Sequence, residues 1–448
     1  MPVPNEVKND PLLGNNLPID LPTALRLANV GSPTIAIAQT RVREALARVD
    51  QANALILPTL SAGGIYTQHS GLIQRTEGFL ESVDRQSMFA GGGLALRVDF
   101  GEAYFSRLVA RRLVAAEVAA AQATTNSALY DVAAAYFDLV QAHALLAINA
   151  DILALGEQIL KAARSGEKQG LIRSSADLNR AETEVNLRKT ERLDLQARAG
   201  VASARLVRLL VLDPAVTLVP ADAAAVPIDL FAPKASITEL LNDAVSNRPE
   251  LAAAMALIEA ADIRVRQAKL APLIPRTQIN YLGGGFGGGP NGAHPNLDGR
   301  ADLDAQLFWE LRGLGFGNLA DVRVRTAERD RSVLHSVAVR AQVASEVVEA
   351  SSVTTARRAA IDEARQATTQ AQEMYRKLSA TSFGLIGPRA QFDALEPLLA
   401  VQALNQAKVA HLGSIVEYNR SQFRLLSAVG QPATDAQPIF SQTVPGKP

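Results

Sequence analysis

The 448-residue chain is electrically balanced and contains few aromatic residues. Lysine plus arginine and aspartate plus glutamate each total 45, so the basic excess typical of nucleic-acid binders is absent. The chain has no cysteine, which excludes disulfides, thiolate metal sites and cysteine nucleophiles. Hydrophobic residues make up 48% of the sequence and aromatics only 5%, a composition typical of closely packed helices.

Neither a secretion signal nor a membrane-spanning helix is predicted. The first eight residues, Met-Pro-Val-Pro-Asn-Glu-Val-Lys, lack a basic start followed by an apolar run. The longest apolar stretch, 144–155, is interrupted by Asn149 and Asp151. A membrane-spanning helix needs about 18 or more apolar residues, so we expect none here. This criterion does not exclude a membrane-spanning β-barrel.

Proline positions divide the chain into two similar halves. No proline occurs from Thr59 to Asp213 or from Asn296 to Gly387, and such gaps allow long helices. Pro33 and Pro249 lie in similar segments 216 residues apart, and further matches keep nearly the same shift. This pattern predicts an internal duplication. The predicted parts are a tail at 1–20, repeats at 21–214 and 237–432, a linker at 215–236 and a tail at 433–448.

Each repeat is predicted to contain a helix, two strands and two long helices, which gives a mostly α fold with a small β part. The predicted strands are about 60–69, 93–100, 276–282 and 301–309. The predicted long helices are about 102–166, 176–212, 317–382 and 389–429, and the second repeat is predicted to begin with one helix over 237–271. The helix over 102–166 would be about 95 Å long, and such helices need partners of equal length.

Three of the four strands alternate apolar and polar residues, whereas 60–69 follows this pattern poorly. Alternation is typical both of half-buried strands in a soluble sheet and of barrel strands between lipid and water. Four strands cannot close a barrel, so a barrel would require several chains. In that interpretation the lipid-facing residues are Leu94, Leu96, Val98, Ile279, Tyr281, Leu303, Leu307 and Trp309.

No catalytic, metal or cofactor site is predicted. The five histidines are scattered and form no ligand spacing. The glycine-rich run 283–289 could suggest a phosphate cradle, but no lysine or Ser/Thr pair follows it. We interpret this run as a flexible loop between two strands.

The segments Trp309–Asn318 and Glu417–Pro432, together with the duplicated layout, resemble the TolC-like outer-membrane efflux protein family. The resemblance covers the chain from about Leu21 to Pro432. It implies a non-enzymatic homotrimer in the Gram-negative outer membrane, with a 12-stranded β-barrel continued by a long α-helical barrel through the periplasm. The implied function is a passive exit duct of a tripartite efflux or type I secretion system.

The resemblance also implies partners and site residues. The two helix turns furthest from the membrane would contact a periplasmic adaptor (membrane fusion) protein of an inner-membrane pump. These turns are Gly170, Leu171 and Ile172 in one repeat and Gly384, Leu385 and Ile386 in the other. Asp393, and Asp177 with an offset of one residue, would narrow the inner end of the channel. Asp393 also fits an ordinary solvated helix carboxylate.

A second hypothesis is a soluble periplasmic coiled-coil scaffold or adaptor protein. An adaptor would carry one helical hairpin flanked by β-rich domains, and it would lack the duplication. A requirement for detergent and the mass of a trimer would favour the channel over this scaffold.

Overall fold

The computed structural model describes residues 16–169, 175–221, 225–231, 236–290, 297–383 and 394–436. Its helices are α1 (Leu21–Gly31), α2 (Pro33–Ala54), α3 (Phe100–Lys168), α4 (Ser175–Leu210), α5 (Ile237–Asn247), α6 (Pro249–Leu270), α7 (Phe316–Phe383) and α8 (Leu395–Ala428). Its strands are β1 (Asn16–Ile19), β2 (Thr59–Gln74), β3 (Leu80–Asp99), β4 (Thr217–Pro220), β5 (Arg276–Pro290) and β6 (Asp298–Phe308). The order of two short helices, two strands and two long helices occurs twice along the chain.

Prolines separate the short helices of each pair. The residue before a proline is disfavoured in the α conformation, and both Ser32 and Arg248 adopt extended backbone angles. Pro33 and Pro249 then open the next helices, since the first helical turn needs no proline N–H. The prediction of one continuous helix over 237–271 is therefore wrong, because α5 ends before Pro249.

The long helices begin and end close to the predicted residues. α3 contains 69 residues and α7 contains 68, so each is about 100 Å long at 1.5 Å per residue. α4 begins at Ser175, one residue before its predicted start, and ends two residues early at Leu210. α8 is described from Leu395, and the predicted start at 389 lies outside the described residues.

One helix, α3, is long and apolar enough to cross a membrane by length and composition alone. The expectation that no helix spans a membrane stays a prediction, because this test considers length and composition alone. The sequence test required an uninterrupted apolar run, whereas the apolar content of α3 is spread along its length between polar residues. Many of its apolar side chains, including Leu129, Leu139 and Ile152, are completely buried among other helices.

One of two compact units, which we call the sheet unit, comprises residues 40–119 and 252–338. It contains a four-stranded sheet in the order β2-β3-β5-β6, and all three pairings are antiparallel. In this chain β2 and β6 are consequently the edge strands.

The strands of the sheet unit are longer than predicted, although β3 and β6 each end one residue before the predicted end. β2 and β3 enclose a short turn at residues 75–79, so most of the segment between the predicted strands 60–69 and 93–100 is also strand. The glycine-rich run 283–289 lies within β5, and its prediction as a loop is wrong. Glycine has a low strand propensity, but pairing with β3 along the whole run satisfies its backbone groups. β6 ends at Phe308, which leaves Trp309 just outside the strand.

The other unit, the helical unit, comprises the described residues up to 39, 120–251 and 339–436. Its largest core contains Leu25, Leu129, Leu139, Leu206 and Phe423, which come from α1, α3, α4 and α8. β1 and β4 form a two-stranded parallel ribbon beside this core. Residues that are far apart in sequence therefore share one apolar interior.

The described part of the predicted linker is hydrogen-bonded to side chains of α8. Asn419 is 2% exposed, accepts a hydrogen bond from the Ile228 N–H at 2.9 Å and donates one to the Val226 carbonyl at 2.9 Å. Gln422 accepts bonds from the N–H groups of Leu230 and Phe231, each at 3.3 Å. These side chains satisfy backbone groups of an extended segment that has no strand partner.

Candidate functional site

The register of the sheet brings the predicted lipid-facing side chains into rows on one face. Leu94 lies opposite Tyr281, and Tyr281 lies opposite Leu303. The next row contains Leu96, Ile279 and Ala305. The row after it contains Val98, Thr277 and Leu307. We call this surface the apolar face. It contains every predicted lipid-facing residue except Trp309, which follows β6.

Strand β2 continues the apolar face, although its sequence does not show the alternation. Leu60 pairs with Leu94, and Tyr66 pairs with Met88. Glycine and alanine lie between these residues and weaken the alternation of apolar and polar residues along β2. The missed signal was therefore the cross-strand register, which becomes visible only once β2 and β3 are paired.

Most of the apolar face is exposed on the isolated chain. Leu303 is 69% exposed and Leu307 58%, while Leu60 and Tyr281 are exposed as well. Val98 differs, because it is only 5% exposed. It is the next-to-last residue of β3, where the chain continues directly into α3, so the prediction of lipid exposure at Val98 is wrong in this structure.

The opposite surface, which we call the polar face, carries the alternate residues. Gln306 lies opposite Gln278, which lies opposite Arg97. Asp304 lies opposite Asn280 in the next row. Near the ends of the strands, the Arg276 Nε donates to Asp99 Oδ2 at 2.8 Å, and Arg276 also pairs with Glu310. The sheet therefore has one apolar face and one polar face.

Glycines on the polar face indicate that the sheet bends toward this side. A Cβ at Gly91 would lie 2.3 Å from the carbonyl oxygen of Gly283, and one at Gly284 would lie 2.4 Å from that of Ala90. Gly93 and Gly288, on the same face, show equally close approaches to the paired strand. Only glycine permits such proximity. We conclude that the polar face is concave where β3 pairs with β5.

Of the predicted adaptor-docking and constriction residues, Asp177 lies within the described part of the chain. Both turns, Gly170–Ile172 and Gly384–Ile386, and the candidate Asp393 lie outside the described residues. Asp177 is described in the first turn of α4, where it is 3% exposed and pairs with Arg180 at 3.1 Å. Its proposed role in the constriction stays a prediction.

A charged cluster that sequence reasoning missed connects three helices of the helical unit. The Arg188 guanidinium on α4 donates to Glu184 at 2.8 Å and to Glu191 at 2.7 Å. Gln402 on α8 donates to the second oxygen of Glu184 at 2.9 Å, and Asn149 on α3 lies 3.3 Å from Glu191. Burial opposes the charge of Arg188, but its two carboxylate partners outweigh that effect and raise its pKa. The four-residue spacing of Glu184 and Arg188 was the available sequence signal.

Residues 24–210, which include most of the first predicted repeat, match the family described as outer membrane efflux protein. This part of the chain is therefore similar to that family. No curated protein sequence matches the chain significantly. Solved structures provide the comparison for the rest of the chain.

Solved outer-membrane channel structures share the fold of this chain over most of its length. The outer-membrane channel OprN is 19% identical, with a TM-score of 0.75 over 92% of this chain and 90% of that one. VceC from Vibrio cholerae is 18% identical, with a TM-score of 0.73 over 92% and 96%. CmeC from Campylobacter jejuni is 14% identical, with a TM-score of 0.74 over 94% and 88%. At these identities the likeness shows the fold.

Proposed function

We propose that this chain is one protomer of a homotrimeric outer-membrane channel that serves as the passive exit duct of a tripartite efflux or type I secretion system. The observation that carries the proposal is an open four-stranded sheet with an exposed apolar face and a concave polar face. Its edge strands leave backbone groups unpaired, and a membrane tolerates no such edge. Neighbouring copies of the chain supply the missing strands.

The number of strands favours three copies. Two copies would give eight strands, and side chains fill the interior of a barrel of that size. Three copies would give 12 strands and a wider, water-filled lumen. This number agrees with the trimer implied by the resemblance to the TolC-like family, and it suits a duct that passes cargo without chemistry.

The height of the apolar face supports insertion into a bilayer. On β3 the part of this face that is not buried extends from Met88 to Leu96, which corresponds to about 27 Å at about 3.4 Å per residue. A strand tilt of about 40° reduces this length to a height of about 21 Å, somewhat less than the apolar band of about 25 Å in outer-membrane barrels. Beyond Met88 the face becomes polar, and Tyr66 donates a hydrogen bond to Gln86 there at 2.8 Å.

The helices support assembly in the periplasm. Each long helix exposes apolar side chains on the isolated chain, such as Leu187 and Leu193 on α4 and Leu334 and Val337 on α7. In a trimer these residues pack against neighbouring protomers and form the α-helical barrel. The repeats 21–214 and 237–432 would be two copies of one ancestral unit, and their helix turns at 170–172 and 384–386 would bind the adaptor of the inner-membrane pump.

The alternative, a soluble periplasmic scaffold or adaptor, accounts less well for the sheet. Leu60, Leu303 and Leu307 would expose a continuous apolar surface to water, which soluble monomers rarely do. An adaptor would also contain one helical hairpin, whereas α3–α4 and α7–α8 give two pairs of long helices.

Cysteine cross-linking tests the proposal directly, because the chain contains no cysteine of its own. Ala62→Cys on edge strand β2 is combined in turn with Ala301→Cys or Ala305→Cys on edge strand β6. We expect oxidation in lipid vesicles to produce a ladder that ends at the covalent trimer for at least one pair. Ala62→Cys with Ile279→Cys on the interior strand β5 is the matched control and should give no ladder.

Planar-bilayer recording completes the test. The purified protein should require detergent, show the mass of a trimer and produce water-filled conductance after reconstitution. A monomer that is soluble without detergent, forms no cross-links and gives no conductance would establish the scaffold instead.

A further inference from the structure

An aromatic pair interrupts the polar face of the sheet. Phe89 on β3 lies directly opposite Phe286 on β5, and Ile65 on β2 extends the same row. Along their strands these residues alternate with the residues of the apolar face. They therefore belong to the polar face, which faces the lumen in the proposed channel. A lumen filled with water gives no hydrophobic reason for two phenylalanines at this position, and therefore they require another explanation.

Glycines lie beside the two rings along β3 and β5, and Asp298 on β6 lies opposite Phe286. Phe286 has Gly284 and Gly288 as its neighbours on the same face of β5, and Gly91 is the corresponding neighbour of Phe89. A Cβ at Gly91 would lie 2.9 Å from the Cζ atom of Phe89, so this ring lies over the bare backbone of Gly91. The close strand approach excludes larger residues at Gly91 and Gly284. The rings consequently stand on a smooth, concave patch.

A cation accompanies the rings. The Arg300 guanidinium carbon on β6 lies 5.0 Å from the centroid of the Phe286 ring, within the range of a cation–π contact. Its Nε donates to Asp302 Oδ2 at 2.7 Å, and its side chain is half exposed. Among the described residues, the two terminal nitrogens of Arg300 have no hydrogen-bond acceptor and can meet an anion from the lumen.

We propose that Phe89, Phe286 and Arg300 form a contact site for cargo in the lumen, and that this site favours planar aromatic carboxylates. The cargo ring stacks on the phenylalanines, while its carboxylate accepts hydrogen bonds from Arg300. Three such sites surround the lumen of the trimer. The site holds cargo briefly and raises its local concentration, which suits a passive duct. This inference rests on the proposed channel function.

Current blockades through the reconstituted trimer test the site. The probe is 2-naphthoate, and cyclohexanecarboxylate is the probe of equal charge without an aromatic ring. We expect longer blockades with 2-naphthoate in the wild-type channel. The double variant Phe89→Leu and Phe286→Leu should shorten them about tenfold, because each aromatic contact is worth about 0.5–1.5 kcal/mol, and should leave cyclohexanecarboxylate nearly unchanged.

Two further variants separate the roles. Phe308→Leu removes another phenylalanine of the polar face, opposite Arg276 on β5, and should leave the blockades unchanged. Arg300→Gln should shorten blockades by 2-naphthoate but not those by uncharged 2-naphthylmethanol. The open-channel conductance of each variant reports whether the trimer has assembled.

Equal blockades by the two carboxylates in the wild-type channel would overturn the cargo site, and this comparison needs no variant. Blockades that the double variant leaves unchanged would overturn it as well. In both outcomes the conductance itself remains, so the channel function survives. Absence of any wild-type conductance would instead contradict the channel function.

Discussion

Arginine on the apolar face should destabilise the protein in a bilayer far more than arginine on the polar face. Leu303→Arg and Gln306→Arg provide the comparison, because both residues lie on β6 and point to opposite faces. Leu303 shares its row with Leu94 and Tyr281. Counted from Val98 toward Met88, that row lies near the middle of the apolar face.

The structure gives the magnitude of this effect. Leu303 is 69% exposed on the isolated chain, so in the assembled barrel its side chain would meet lipid and not protein. Arginine at the bilayer midplane of a β-barrel costs about 2–4 kcal/mol. Gln306 would face water in the lumen, and an exposed polar substitution of this kind changes stability by about 0.5 kcal/mol or less.

Urea unfolding in lipid vesicles measures the difference, and the chain supplies its own reporter. Trp309 is the single tryptophan and follows β6 directly, so its fluorescence follows the transfer of the sheet from bilayer to water. We expect Leu303→Arg to lower the free energy of unfolding by about 2–4 kcal/mol per protomer. Equal losses for the two variants, or a larger loss for Gln306→Arg, would refute the assignment of the two faces.

Three further predictions concern packing and protonation. Asn419→Ala leaves two backbone groups of the linker unpaired and should cost about 2–4 kcal/mol in chemical unfolding, whereas exposed Asn186→Ala should be nearly neutral. Gly284→Ala should prevent trimer assembly, measured by mass in detergent, while Gly285→Ala should assemble, because its Cβ would lie at ordinary contact distances of 3.6 Å from Leu297 Cδ2 and 4.0 Å from the Ala90 carbonyl oxygen. Burial and the hydrogen bond to Asp229 raise the pKa of Tyr418 to about 12. The unfolded chain titrates near pH 10, so thermal stability should fall as the pH rises from about 10 to about 12, and Tyr418→Phe should reduce this slope.

The sequence predicted the helical part of the fold because its signals are local. Proline gaps located α3 and α7 to within two residues, since proline excludes helix interiors regardless of tertiary packing. The same rule, applied to Pro249, would have divided the predicted helix over 237–271.

The strands were harder to predict because glycine carries no hydropathy signal. The run 283–289 has the composition of a loop, yet every one of its residues pairs with β3. Glycine is needed at such a position because the paired strand approaches closely. The position of the paired strand cannot be read from the residues that neighbour the glycine in the sequence. For the same reason the continuation of the apolar face through Leu60 was missed.

The sequence by itself determined that some strands are two-faced and that very long helices occur twice, because both follow from periodicity and from residues that break helices. Only the tertiary structure decided that Leu94, Tyr281 and Leu303 share a row, that the polar face is concave, and that Phe89 lies opposite Phe286 in the strand register. These facts depend on register between strands that are nearly 200 residues apart in sequence. Register is set by the summed pairing of whole strands, and no local pattern of residues contains it.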